Sequence, residues 1–144
     1  MNASRDLAAL IGRVLLAFLF VYAGFGKIGG FGHTEAEIAG KDVPLPVIAT
    51  TIAIIIECVG GLMVAFGWKA RWAALVVAAF TIVASVLFHN FWAMTDPAQI
   101  GVNKLMFLKN VAVIGGLLMV FALGPGRLSL DREYRDRAGP GLIH

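Results

Sequence analysis

The chain has 144 residues and a formal charge of +3, long enough for one compact domain and too short for two ordinary ones. Hydrophobic residues make up 59% and charged residues 15%, against roughly 45–50% and about 25% in soluble domains, and mean hydropathy is +0.83. Such a composition excludes a soluble globular domain and points to an integral membrane protein. The basic residues are thinly spread, and their one cluster, Arg132, Arg135 and Arg137, alternates with Asp131, Glu133 and Asp136. Mixed sign suits a solvated surface at an anionic leaflet and argues against nucleic acid as a partner.

The first apolar segment, Leu7–Gly26, approaches the ~20 residues a helix needs to cross ~30 Å of hydrocarbon. Arg5 and the run Val14–Phe25 resemble a signal peptide, but Arg13 interrupts the front of the run and three more spans follow, so the segment is expected to stay. The connection Lys27–Leu45 is glycine-rich and contains Pro44 and the charges Glu35, Glu37, Lys41 and Asp42; it reads as a mobile lid or a short surface helix. The second span is Pro46–Phe66, followed by a tight turn over Gly67–Arg71 and a third span over Trp72–Trp92. A second polar connection, Ala93–Lys104, leads to the fourth span, Leu105–Leu123. Residues 1–126 thus form the membrane domain, and residues 127–144 a short charged tail. Backbone groups in lipid must be satisfied within the segment, so the fold class is all-α, a polytopic transmembrane four-helix bundle.

Orientation follows the Lys and Arg count outside the spans. Arg5, Lys69, Arg71, Arg127, Arg132, Arg135 and Arg137 stand at one side against Lys27, Lys41 and Lys104 at the other. This predicts both termini in the cytoplasm, with Trp68 and Trp72 at the inner interface and Trp92 at the outer one.

Two charges fall inside the spans. Arg13 lies ~9 Å from the inner end of the first, and Glu57 ~14 Å from the same side in the second. An unpaired charge at a span centre costs roughly 2.5–3.5 kcal/mol, so an ion pair between Arg13 and Glu57 is expected. Helical spacing then gives each span one polar or small face: Arg13, Ala17, Phe20, Gly24 and Lys27; Glu57, Gly60, Gly61 and Val64; Thr81, Ser85 and His89; Lys109, Val113 and Gly116. Gly24, Gly60, Gly61, Gly115 and Gly116 are expected at helix contacts.

Lys109, Asn110, His89 and Lys27 share a depth near the outer side and form the candidate ligand site. A quinone carbonyl calls for hydrogen-bond donors, and the charge it develops on reduction calls for a cation; Lys109 with His89 or Asn110 offers both. No tightly bound cofactor is expected beyond such a quinone. No metal-ligand spacing, catalytic triad or phosphate loop is visible, and "GKIGGFG" lacks the strand-to-helix context of a nucleotide site. Cys58 is the sole cysteine and reads as a small buried hydrophobe. "GGLMVAFG" (60–67) and "GGLLMVFALG" (115–124) hint at two related hairpins about the membrane normal.

The motifs together resemble the DoxX family of small bacterial membrane proteins, from about Leu10 to Asp131. "GRVLLAFLFVYAGFGKI" looks like its opening, with Arg13, Gly24 and Lys27 in register. "IECVGGLMVAFGWKARWAA" carries Glu57, Gly60, Gly61, Gly67 and Arg71, and "LFHNFW" carries Phe88, His89 and Trp92. "NKLMFLKNVAVIGGLLMVFALGPGRLSLD" is similar to its closing block, with Phe107, Lys109, Asn110, Gly115, Gly116, Gly124 and Asp131. The resemblance implies a four-helix protein of the bacterial inner membrane with an association to redox processes. The family's name-bearing relatives are membrane subunits of a thiosulfate:quinone oxidoreductase, and others are linked to partners handling sulfur compounds, thiols or superoxide.

The expectation is therefore a redox-linked membrane subunit binding a quinone-like or other lipophilic headgroup, with a soluble or membrane redox partner. The sequence ends soon after the fourth span without a soluble catalytic domain, so catalysis by the chain alone is not expected. A non-catalytic scaffold recruiting soluble redox or oxidative-stress enzymes is one alternative, and a small transporter another. Homo-oligomerisation is left open.

Overall fold

The computed structural model describes residues 3–132. Four stretches are long and apolar enough to cross a membrane: Ala3–Gly29, Pro46–Phe66, Ala70–Ala93 and Pro97–Leu123. The first is a single helix, α1 (Ala3–Gly29). A short helix, α2 (Phe31–Ala39), follows after Gly30, so the first connection is helical, and it buries Ile38. The second span is composite: α3 (Pro46–Ile55), a π-helical turn over Ile56–Gly60, and α4 (Gly61–Phe66). The third is α5 (Ala70–Phe88), extended by a 3-10 turn over Phe91–Ala93. The fourth, α6 (Pro97–Leu123), starts eight residues before the expected Leu105. Its start has a local cause: Asp96 accepts a hydrogen bond from the N–H of Ala98, and Pro97 stands where a missing N–H costs nothing.

The connections make the four spans run alternately up and down. One end holds the start of α1, the α4–α5 turn and the segment after α6, and is called the terminal end below. The other holds α2 and the α5–α6 connection, and is called the lid end. The packed centre joins Ala17 and Phe20 of α1, Val64 of α4, Ala73, Ala74, Val77 and Ala78 of α5, and Leu117 of α6. Small residues dominate because, in lipid, helices gain by close approach rather than by hiding oil from water. A methyl at Gly60 would lie 2.8 Å from Val77 Cγ2, one at Gly61 2.9 Å from Val21 Cγ2, and one at Gly116 3.0 Å from Leu16 Cδ2. Gly24 is tightest: its methyl would come within 2.5 Å of Cys58 Sγ. Gly115 differs from expectation, since a methyl there meets nothing within 4 Å.

The inward faces read from helical spacing hold for three spans. Arg13, Ala17, Phe20 and Gly24 are the buried residues of α1. Glu57, Gly60, Gly61 and Val64 are buried in the second span, and Thr81 and Ser85 in the third. In α6 the face is rotated from the expected one. Leu117 is its buried residue, Asn110 and Val113 are half-buried, and Lys109 is exposed.

Arg13 does not pair with Glu57. It is 2% exposed, and its guanidinium donates to backbone carbonyls instead: Nε to Ala65 O at 3.0 Å, Nη2 to Leu128 O at 2.8 Å, and Nη1 to Pro125 O. Ala65 lies in the last turn of α4, where carbonyls lack intrahelical partners and the helix dipole is negative. Ala65 is eight residues from Glu57, or ~12 Å along the span, beyond an arginine's reach.

The second hairpin repeats the device. Arg71 at the start of α5 donates from Nη1 to Phe121 O and Ala122 O, both at 3.0 Å, in the last turn of α6. Each span then ends in a glycine at positive φ under that arginine: Gly67 at +70°, whose added Cβ would meet Arg13 Cζ at 3.1 Å, and Gly124 at +85°, whose added Cβ would meet Arg71 Nη2 at 3.1 Å. This is a shared structural feature behind the two similar glycine-ended sequences.

The expected solvated tail begins as part of the bundle. Asp131 accepts from the N–H groups of Lys69 (2.6 Å) and Ala70 (3.0 Å), capping the start of α5, and its own N–H donates to Gly67 O at 2.9 Å. The rest of the expected tail, from residue 133, lies outside the described residues.

Candidate functional site: a cavity at the lid end

Glu57 sits on the π turn, 5% exposed, with its Cβ against Gly24. The missing side chain at Gly24 lets the second span approach α1 closely enough for Lys27, one turn further along, to reach the carboxylate. Lys27 Nζ donates to Oε1 at 3.0 Å and lies 2.8 Å from Oε2. Oε2 is buried and receives no well-directed hydrogen bond among the described residues. The carboxylate's partner is thus Lys27, not Arg13, and Lys27 joins the ion pair while still lining the expected ligand site.

Above this pair is a cavity of about 920 Å³ between α1, α2, α3, α5 and α6. That volume is in the range of small-molecule sites, about 300–1,000 Å³. Phe20, Ile52, Phe80, Val83 and Leu87 supply apolar wall, and Lys27, Glu57, His89, Lys109 and Asn110 supply polar groups. All four expected ligand-site residues therefore line one cavity. Thr34, Glu37, Ile38, Lys41, Gln99 and Asn103 line it as well and were not singled out from the sequence. The first four belong to α2 and its exit, whose packing over the bundle has no signature in a nine-residue helix of mixed polarity. The last two lie on the unforeseen first turns of α6.

The polar groups divide by what they can do. His89 Nδ1 is 3.0 Å from Asn103 Oδ1, while Asn103 Nδ2 donates to Gln99 O at 3.0 Å. The amide oxygen must accept, so His89 donates from Nδ1, and a neutral ring keeps Nε2 as an acceptor. Asn110 donates one amide hydrogen to Ser85 Oγ at 2.8 Å, and Ser85 in turn donates to Thr81 O at 2.6 Å. Its second amide hydrogen remains available. Lys109 makes no hydrogen bond or ion pair among the described residues. Its level is fixed by Asn103, which faces the end of α5: Lys109 is six residues deeper, or ~9 Å. Phe91, Trp92 and Phe107 stack edge-on with centroids 5.3–5.7 Å apart and tie the end of α5 to α6 beside this level.

Four spanning helices, arginine-capped helix ends and a largely apolar cavity at one end define a small polytopic membrane protein. The DoxX family profile matches residues 8–90, and the chain belongs to that family. It is similar to the Escherichia coli (strain K12) inner membrane protein YqjF, 38% identical over 135 residues, covering 92% of this chain and 95% of that protein. Inner membrane protein YphA of the same organism is 34% identical over 132 residues, covering 92% and 94%. The Drosophila melanogaster Surfeit locus protein 4 homolog is 29% identical over 137 residues, 93% of this chain but 43% of that protein. No solved structure matches. The chain is a multi-pass DoxX-family inner-membrane protein.

Proposed function

We propose that this protein is a redox-linked membrane subunit whose lid-end cavity receives the headgroup of a lipophilic molecule, a quinone being the first candidate. One observation carries the reading: a cavity of about 920 Å³ with apolar walls is lined by donors and an acceptor, His89 near its mouth and Lys109 ~9 Å deeper along α6. Lys109 and the second amide hydrogen of Asn110 suit a ring carbonyl, and His89 Nε2 suits the hydroxyl of a reduced ring. Lys27 and Glu57 form the floor. The lysine and arginine distribution supports both termini in the cytoplasm, which would open the cavity toward the periplasmic side and leave α2 to meet a redox partner there. Electron transfer is assigned to that partner, not to this chain's side chains.

The test is extraction of protein purified in mild detergent, with quinone measured by mass spectrometry and normalised to total lipid. Stoichiometric quinone in the wild type and loss in Lys109→Ala are expected. Quinone at its lipid background in both would overturn the reading and favour a scaffold for soluble redox enzymes. Topology is checked by a C-terminal fluorescent-protein fusion, which should fluoresce; a dark fusion beside an active periplasmic reporter would reverse the orientation.

A further inference from the structure

The cavity holds more positive than negative charge, and two of its cations, Lys41 and Lys109, make no ion pair among the described residues. Lys27, Lys41 and Lys109 line it against Glu37 and Glu57. Lys27 and Glu57 neutralise each other. Glu37 is on the exposed side of α2, 3.5 Å from His33 Nε2, and Lys41 is exposed at the exit of that helix. Lys109 is also exposed, on α6, but unlike Lys41 it lies within a span, ~9 Å below the level of Asn103. The polar side chains nearest its level are committed elsewhere: Asn110 donates to Ser85, and Ser85 to Thr81 O. Neither is acidic. A lysine stem can lift its ammonium toward the interface, but an ammonium carried within a membrane span still favours a counter-anion.

We propose that Lys109 is the counter-charge for an acidic headgroup, a carboxylate or phosphate carried on a hydrocarbon tail, with the tail along Ile52, Val83 and Leu87. The inference rests on the reading that the cavity holds a lipophilic molecule, and adds the charge of its head. Asn110 offers the anion a second donor. Glu57 is kept from repelling it by Lys27.

The test uses the full chain in neutral detergent, with native mass spectrometry of retained ligand. Dodecyl phosphate, the neutral dodecylglycerol and a short-chain ubiquinone are supplied separately to wild type, Lys109→Met and Lys109→Arg. Size-exclusion profile and helicity certify that each variant is folded. Wild type should retain dodecyl phosphate over dodecylglycerol by about tenfold or more, a preference lost in Lys109→Met and kept in Lys109→Arg. Equal retention in wild type, or a preference that survives in Lys109→Met, overturns the proposal. Equal retention together with bound ubiquinone leaves the lipophilic-cavity reading standing, whereas no retention of any probe sinks both. Should the phosphate preference hold, displacement by phosphatidylglycerol but not phosphatidylcholine assigns the anion to the bilayer. Failure of phosphatidylglycerol to compete assigns it to a free amphiphile.

Discussion

The ammonium of Lys27 lies 2.8 Å from Oε2 of Glu57, joining the lid end of α1 to the π turn of the second span. The lysine side chain keeps 27% of its surface exposed and the glutamate 7%, so the two are unequal partners. Glu57 depends on Lys27 more than the reverse. Lys27→Met should therefore destabilise the protein by about 2–3 kcal/mol, at or below the usual cost of breaking a buried pair because the lysine is part-exposed. Pairing Lys27→Met with Glu57→Leu should recover much of that loss, since no charge is then stranded. Thermal unfolding in detergent of the singles and the double checks this; additive losses would show that the two residues act independently.

Gly67 and Gly124 should tolerate alanine poorly. Each has φ in the left-handed region, +70° and +85°. The backbone alone should cost about 1–2 kcal/mol at Gly67, which is in the αL region, and up to about 3 kcal/mol at Gly124, whose ψ of 178° puts it in a region essentially reserved for glycine. Gly67→Ala adds a clash, since its Cβ would sit 2.5 Å from Ser129 Cβ. Both substitutions should lower the midpoint in the same melts, and an unchanged midpoint in either would refute the constraint at that glycine.

Gly24 and Gly115 provide an opposed pair. Gly24→Ala drives a methyl to 2.5 Å from Cys58 Sγ and should cost about 1–3 kcal/mol by overpacking. It should also loosen the Lys27–Glu57 contact that the close approach permits. Gly115→Ala meets nothing and should be neutral or stabilising by up to about 1 kcal/mol through helix propensity. Side-by-side melts in which Gly115→Ala is as damaging as Gly24→Ala would mean that Gly115 faces a partner.

Asp131 should matter despite its place after the last span. Its carboxylate takes the N–H groups of Lys69 and Ala70, so Asp131→Ala should cost about 0.5–2 kcal/mol as a lost helix cap, and Asp131→Asn less. Hydrogen exchange at the first turn of α5 is the direct readout; unchanged protection there in Asp131→Ala would refute the capping role.

By itself the sequence determined that the chain crosses the membrane four times, and which residues turn inward on α1, the second span and α5. Both follow from properties of single segments: ~20 apolar residues match the bilayer, and the 3.6-residue period selects a face. Lys27, His89, Lys109 and Asn110, expected at one depth, all line the cavity, although Lys109 lies ~9 Å below the level at which His89 meets Asn103. Partner choice belonged to the tertiary structure. Arg13 looked destined for Glu57 because a carboxylate is a visible counter-charge, whereas the carbonyls it binds exist at every residue and become acceptors only where a helix ends. The axial offset between α1 and the second span set Glu57 beside Gly24, within reach of Lys27 and out of reach of Arg13. The rotation of α6, which buries Leu117 and leaves Lys109 exposed, arises from its packing on α5 and no periodicity announces it. Periodicity fixes a face; offset and rotation between helices decide what that face meets.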